Sequence, residues 1–157
     1  MECFYGKGTT CSDKTSDEYI FVNNFGYVKN IDQDFTILRK NGRLDYQIIY
    51  VDKGYGSFLL NGEYVRADSG SIVILPPGQK NHYEFTSDSS SDFYWIHFTG
   101  YGVPQLLKKL NLEESIFSIG DFFEFKEIFA NMSKAIIVGD NVSISQKVYD
   151  KTISTLE

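Results

Sequence analysis

The chain has 157 residues, room for one domain with a real hydrophobic core. Its apolar fraction of 42% is ordinary, whereas eleven Tyr, thirteen Phe and one Trp favour β-strands and pockets that stack flat ligands. A net charge of −6, with no Lys/Arg stripe beyond Arg39-Lys40 with Arg43 and Lys108-Lys109, makes this segment a poor direct binder of nucleic acid.

Met1 to Glu18 is polar, rich in Gly, Ser and Thr, and without periodicity; residues 1–18 read as a mobile arm. Met1–Thr10 has no apolar h-region, so no secretory signal is expected. Cys3 and Cys11 are too few and too widely spaced for a zinc site of their own. They read as two free thiols in a reducing cytoplasm, with one bridge as the alternative. No run approaches the ~20 apolar residues of a membrane helix, and a soluble cytoplasmic protein is expected.

Residues 19–100 change to short apolar runs separated by turn residues. Tyr19–Asn23, Phe35–Leu38, Tyr46–Val51, Gly56–Leu60, Glu63–Ala67, Ser71–Leu75, Tyr83–Thr86 and Phe93–Phe98 are predicted strands. Asn61-Gly62 is the strongest hairpin signal, since both residues tolerate the positive φ of a type I′ turn. Eight short strands with frequent turns predict an antiparallel sandwich or barrel. After Gly100, in residues 101–157, the period becomes helical. Val103–Asn111 predicts a short helix burying Val103, Leu106, Leu107 and Leu110, and Ser115–Ile119 an added strand. Asp121 is the expected N-cap of a second helix, with Glu124 completing a capping box. Phe122, Phe125, Phe129, Met132 and Ile136 share one face of it, and Gly139 closes it. A last helix begins near Asn141, with Val142, Tyr149, Ile153 and Leu156 on one side. It reaches Glu157 without a stop signal, as a fragment of a longer polypeptide would.

The run from Gly70 through Ser71–Leu75 to Pro76-Pro77-Gly78, Gln79-Lys80-Asn81 and His82-Tyr83 is the most specific stretch. A Gly turn, a buried strand, a Pro-Pro-Gly corner and a His entering the next strand form a cupin-like pattern, because such a corner re-aims side chains toward the barrel mouth. In metal-binding cupins that His joins a His-x-His pair, but Gly54 to Gly62 contains no His. With only His82 and His97 in the chain, a three-His site is impossible; a two-His-one-carboxylate site is formally open, but no metal or other cofactor is expected. His82 is alternatively a rim residue bonded to its neighbours, and His97, between Ile96 and Phe98, a satisfied core or dimer-face residue. No Gly-x-Ser-x-Gly elbow and no Gly-rich phosphate loop occurs.

Asp45–Tyr50, then Gly54-Tyr55-Gly56, the Pro-Pro-Gly corner with His82-Tyr83, and finally Tyr94–Gly100 stand in an order that resembles the N-terminal sensor domain of AraC-type transcriptional regulators. The resemblance covers Phe21 to Gly100 in detail and the tail only in kind. It implies a mainly β fold, a cupin-like double-stranded β-helix (jelly-roll barrel) with C-terminal helices. It also implies a small polar effector, often a sugar, a homodimer formed through the helical tail, and DNA contact only through a C-terminal helix-turn-helix domain. The positions matching the family's ligand contacts are Arg39, Tyr83 and Trp95, with His82 at the corner. A family His two residues before the Trp is Phe93 here, which argues against arabinose itself. The same set has a plainer alternative, with Trp95 and Tyr83 as core aromatics and Arg39 as a surface charge. Core packing is the expected role of Tyr46, Tyr50 and Phe58. The expected function is effector sensing without catalysis. The rivals are a metal-dependent cupin enzyme, such as a sugar isomerase or dioxygenase, and a dimerisation module that has lost its ligand.

Overall fold

The structure is a computed structural model that describes residues 2–7, 13–29 and 31–138. The expected last helix with Val142, Tyr149, Ile153 and Leu156, the Gly139 stop, the Met132 and Ile136 side chains and both cysteine thiols lie outside what is described. The strands are β1 (Glu2–Lys7), β2 (Phe21–Lys29), β3 (Phe35–Arg39), β4 (Tyr46–Lys53), β5 (Tyr55–Leu60), β6 (Glu63–Asp68), β7 (Ser71–Leu75), β8 (Asn81–Phe85), β9 (Asp92–Thr99) and β10 (Ile116–Ser118). Helix α1 (Val103–Lys109) lies between β9 and β10, and α2 (Phe123–Val138) follows them.

Two antiparallel sheets face each other, one ordered β1-β2-β9-β4-β7-β10 and the other β3-β8-β5-β6. This is the antiparallel barrel that the strand pattern predicts, in the cupin-like form with C-terminal helices that the family resemblance implies. Asn61 (φ 52) and Gly62 (φ 89) close the β5–β6 hairpin with both φ values positive, as a type I′ turn requires.

The two sheets differ in pattern because they differ in what covers them. The four-stranded sheet has one face in water, so β5 and β8 alternate strictly between deeper and shallower residues. The six-stranded sheet is covered twice. Its inner face carries Val28, Ile49, Val51, Val73 and Phe93 into the barrel core. Its outer face carries Phe25, Tyr50, Tyr94 and Ile96 against Phe125, Ile128 and Phe129 of α2. Strands buried on both faces read as continuous apolar runs, which is why β4 and β9 show no alternation in sequence.

Three expectations are corrected. Residues 1–18 do not form a featureless arm, since Glu2–Lys7 pairs along its whole length with Asn24–Lys29. The second strand runs on to Lys29 and does not stop at Asn23, with Gly26 opposite Trp95 in the ladder. Helix α2 starts at Phe123, two residues past the expected cap. The Asp121 carboxylate instead lies 3.3 Å from Lys126 Nζ, and Lys126 reaches Asp52 at 2.6 Å, which ties α2 to the end of β4.

Candidate ligand site inside the barrel

Strand register places the inward side chains in layers. The deepest holds Val28, Phe93, Val51, Phe35 and Phe85, and Phe85 stacks on Phe93 with centroids 4.2 Å apart. The next holds Trp95, Ile49, Val73, Ile37, Tyr83 and Phe58. The third is polar, with Asn24, His97 and Gln47 from one sheet and Arg39 and Asn81 from the other. An aromatic floor beneath a polar ring is the arrangement of a small-molecule pocket.

The ring is joined across the barrel. Gln47 Nε2 donates to the Tyr83 hydroxyl at 3.2 Å. Arg39 Nη1 donates to Gln47 Oε1 and Asn81 Oδ1, both at 3.4 Å, and the guanidinium lies 5.9 Å from the Tyr83 ring centroid. Gln47, Asn81 and Tyr83 are buried, and Arg39 is half-buried. Outside the ring lies a cavity of about 500 Å³, whose wall includes Leu60, Leu75, Gln79, Lys80 and Asn81. Asn81 is the residue that the ring and this cavity wall share.

A second polar cluster closes the layer above. Asp45, fully buried, accepts from Arg43 Nε at 2.6 Å and Nη2 at 2.9 Å, and from Asn23 Nδ2 at 2.7 Å. Asn23 reaches it because the β2–β9 register shifts between Val22 and Asn24, a bulge that re-aims one side chain. His97 Nδ1 lies 3.4 Å from Asp45 Oδ1. Burial pushes the Asp45 carboxyl up, but the donors His97, Arg43 and Asn23 outweigh that and hold it at about 2. Burial pushes the His97 imidazole down, against the pull of Asp45, so it is neutral near pH 7.

Of the five candidate residues, four share the barrel interior. Arg39, Tyr83, Phe93 and Trp95 all point inward, and Phe93 and Trp95 sit 5.9 Å apart on one face while Tyr94 and Ile96 face α2. His82 does not join them. It follows the buried Asn81, so strand alternation turns it to the outer face, where it bonds the Tyr64 hydroxyl. Sequence reasoning missed Gln47, Asn81 and the Asp45 cluster.

Among the described residues no three His, Cys, Asp or Glu side chains gather as a metal site would need. His82 and His97 lie on opposite faces, and Asp45 is committed to Arg43. On the outer side of the six-stranded sheet, a wholly apolar cavity of about 220 Å³ lies between Ile48, Ile72 and Ile96, the α1 residues Leu106 and Leu107, and Phe125.

Solved structures similar to the chain include the protein YhaK from Escherichia coli, at 9% identity and TM-score 0.48, covering 75% of this chain and 51% of that one. The EutQ protein of Clostridium difficile is 18% identical at TM-score 0.32, covering 50% of this chain and 56% of its own. A predicted oxalate decarboxylase from Thermotoga maritima is 18% identical at TM-score 0.36, covering 49% and 64%. The chain thus spans little more than half of the EutQ protein. No curated protein matches the sequence. The profile of the AraC-like ligand binding domain matches residues 27–118, from the middle of β2 through β10. That span covers more than half of the sequence and includes every inward residue of the aromatic floor, so the chain belongs to the AraC-like ligand binding domain family.

Proposed function

We propose that the chain is the effector-binding and dimerisation part of a cytoplasmic transcription regulator, without catalytic activity, and that its effector is a small polar molecule of carbohydrate type. The observation that carries this is the half-buried guanidinium of Arg39 in a ring of amides above Trp95 and Tyr83. Guanidinium and amide groups hold hydroxyl or carboxylate oxygens, and an indole face takes the C–H side of a sugar ring. Phe93, where the family resemblance places a His, makes the floor apolar and disfavours plain arabinose. His82 has no part in this pocket, given its outward direction.

The test is a thermal-shift and calorimetric screen of small carbohydrates. A ligand found this way should lose about 1.5–3 kcal/mol of binding in Arg39→Ala, the worth of charge-assisted hydrogen bonds. A complex in which the ligand touches neither Arg39 nor Trp95 would refute the pocket.

The helical tail after Asp121 is the proposed homodimer element, and Phe123, 65% exposed at the start of α2, is the described residue that supports it. Sedimentation at tens of micromolar should show dimer, and a clean monomer there removes this part of the proposal. DNA contact belongs to a separate C-terminal domain.

A further inference from the structure

A half-buried guanidinium is best held by a carboxylate, and Arg39 has only amide and ring contacts. No carboxylate lies within ion-pair distance of it among the described residues, and its two bonds are at the long limit of hydrogen bonding, both from Nη1. Its Nε and Nη2 donate to nothing described. The acid nearest in the layering, Asp45, is held at both oxygens by Arg43.

The neighbours of Arg39 are one-sided as well. Gln47 Oε1 and Asn81 Oδ1 are turned toward Arg39, and each already accepts from it. Asn81 is 3% exposed, yet its Nδ2 donates to nothing described, and it lines the cavity at the barrel mouth. The Tyr83 hydroxyl accepts from Gln47 and keeps its own proton free to donate. Around Arg39 stand the Asn81 amide and the Tyr83 hydroxyl as donors, with one positive charge that no described carboxylate compensates. A neutral sugar hydroxyl both gives and takes a proton and brings no charge to that site. A carboxylate only accepts, matches the fork of a guanidinium at two oxygens, and supplies the missing negative charge.

Resting on the effector reading above, we infer that the effector is an acid: a small carboxylate-bearing molecule, of the uronate or aldonate kind, with its carboxylate on Arg39, Asn81 and Tyr83. Its body lies toward Trp95 and Phe93.

Matched pairs that differ in the carboxylate test this: D-galacturonate with D-galactose, D-glucuronate with D-glucose, and D-gluconate with D-glucitol, at constant ionic strength and pH 7. The chain has one Trp, so the fluorescence of Trp95 reports events at the proposed site directly, with thermal shift as the second readout. At least one acid should bind saturably and its neutral twin at least ~10-fold more weakly, the least that a charge-assisted contact is worth. Arg39→Gln should abolish the difference within that pair, and Arg39→Lys should keep part of it. A neutral member binding as tightly as its acid overturns the inference and leaves the effector reading standing. Equal binding of the acid by Arg39→Gln does the same. Silence of the whole panel in both readouts overturns the inference and the carbohydrate-type effector together.

Discussion

Asp45 shows how much one buried carboxylate can organise. Arg43 grips both its oxygens, Asn23 adds a third donor and carries the backbone of Lys14 on the same amide, and His97 stands at its edge. Asp45→Ala should therefore cost about 3–5 kcal/mol, because Arg43, charged and only 11% exposed, would lose the buried carboxylate that holds it. Acid should unfold the domain in two stages. His97 has a folded-state value below its ordinary 6.5, so the unfolded chain takes up its proton first and stability falls as pH drops below about 6.5. Asp45 is held at about 2 against an ordinary 3.8, so its contribution of roughly 2 kcal/mol is present above 3.8 and is lost as pH falls from there through 2. Melting temperatures measured from pH 8 to about pH 2 should show both declines, and His97→Gln should remove the upper one alone. A variant profile parallel to wild type over that upper range contradicts the assignment. Arg39 and Trp95 were legible from their place in the motif order. Asp45, Gln47 and Asn81 were not, because a polar residue in a strand has the same appearance in sequence whether it faces water or the barrel.

At the level of elements, β4 and β9 each have one face in the barrel and one under α2, so a contact on one side is a single residue from the other. Phe93 and Trp95 line the interior, while Tyr94, between them, meets the Phe129 ring at 4.9 Å. Tyr50 is the clearest joint. Its hydroxyl donates to Gly120 O at 3.2 Å and accepts from Phe122 N at 3.1 Å, and its ring lies 5.0 Å from Phe125. Tyr50→Phe keeps the ring and loses both bonds, so about 1–2 kcal/mol should be lost, chiefly at α2. Hydrogen exchange should quicken in Phe123–Val138 while β4 and β9 keep their protection; equal loosening of strands and helix would show that Tyr50 supports the barrel generally. Helix α2 was visible in sequence through its apolar spacing, but its start was not, because Asp121 has a cap's chemistry and spends it on Lys126. Strand β1 stayed hidden because its short Cys-Phe-Tyr run sits in a polar stretch, and its partner β2 runs through Gly26, a poor strand former, beyond the expected end at Asn23.

At the scale of the whole molecule, charge opposes contact with nucleic acid. Twenty-one acidic residues face fifteen Lys and Arg in the sequence, and two of those cations are withdrawn from the surface. Arg39 points into the barrel and Arg43 is buried against Asp45, leaving thirteen of the fifteen for everything else. Several of these are also engaged with acids or rings, as Arg66 is with Asp68 and with the Tyr55 ring at 3.7 Å, and Lys126 is with Asp52 and Asp121. Binding to duplex DNA depends on several cations placed along one face to displace counterions, and a net charge of −6 opposes approach at any orientation. The domain by itself should therefore pass through heparin or immobilised duplex DNA unretained at ~0.15 M salt, where screening already reaches within about 8 Å. Submicromolar binding that weakens steeply with added salt would contradict this, since that slope counts the phosphates neutralised. The same charge pattern bears on an acidic effector, which would meet repulsion everywhere except near exposed cations such as Lys80, in the wall of the cavity that Asn81 also lines. Lys80→Glu should then slow association of an acidic effector, more at low salt than at high, while leaving its dissociation rate nearly unchanged. Stopped-flow fluorescence of Trp95 separates the two rates, and a change confined to dissociation would place Lys80 in contact with the ligand.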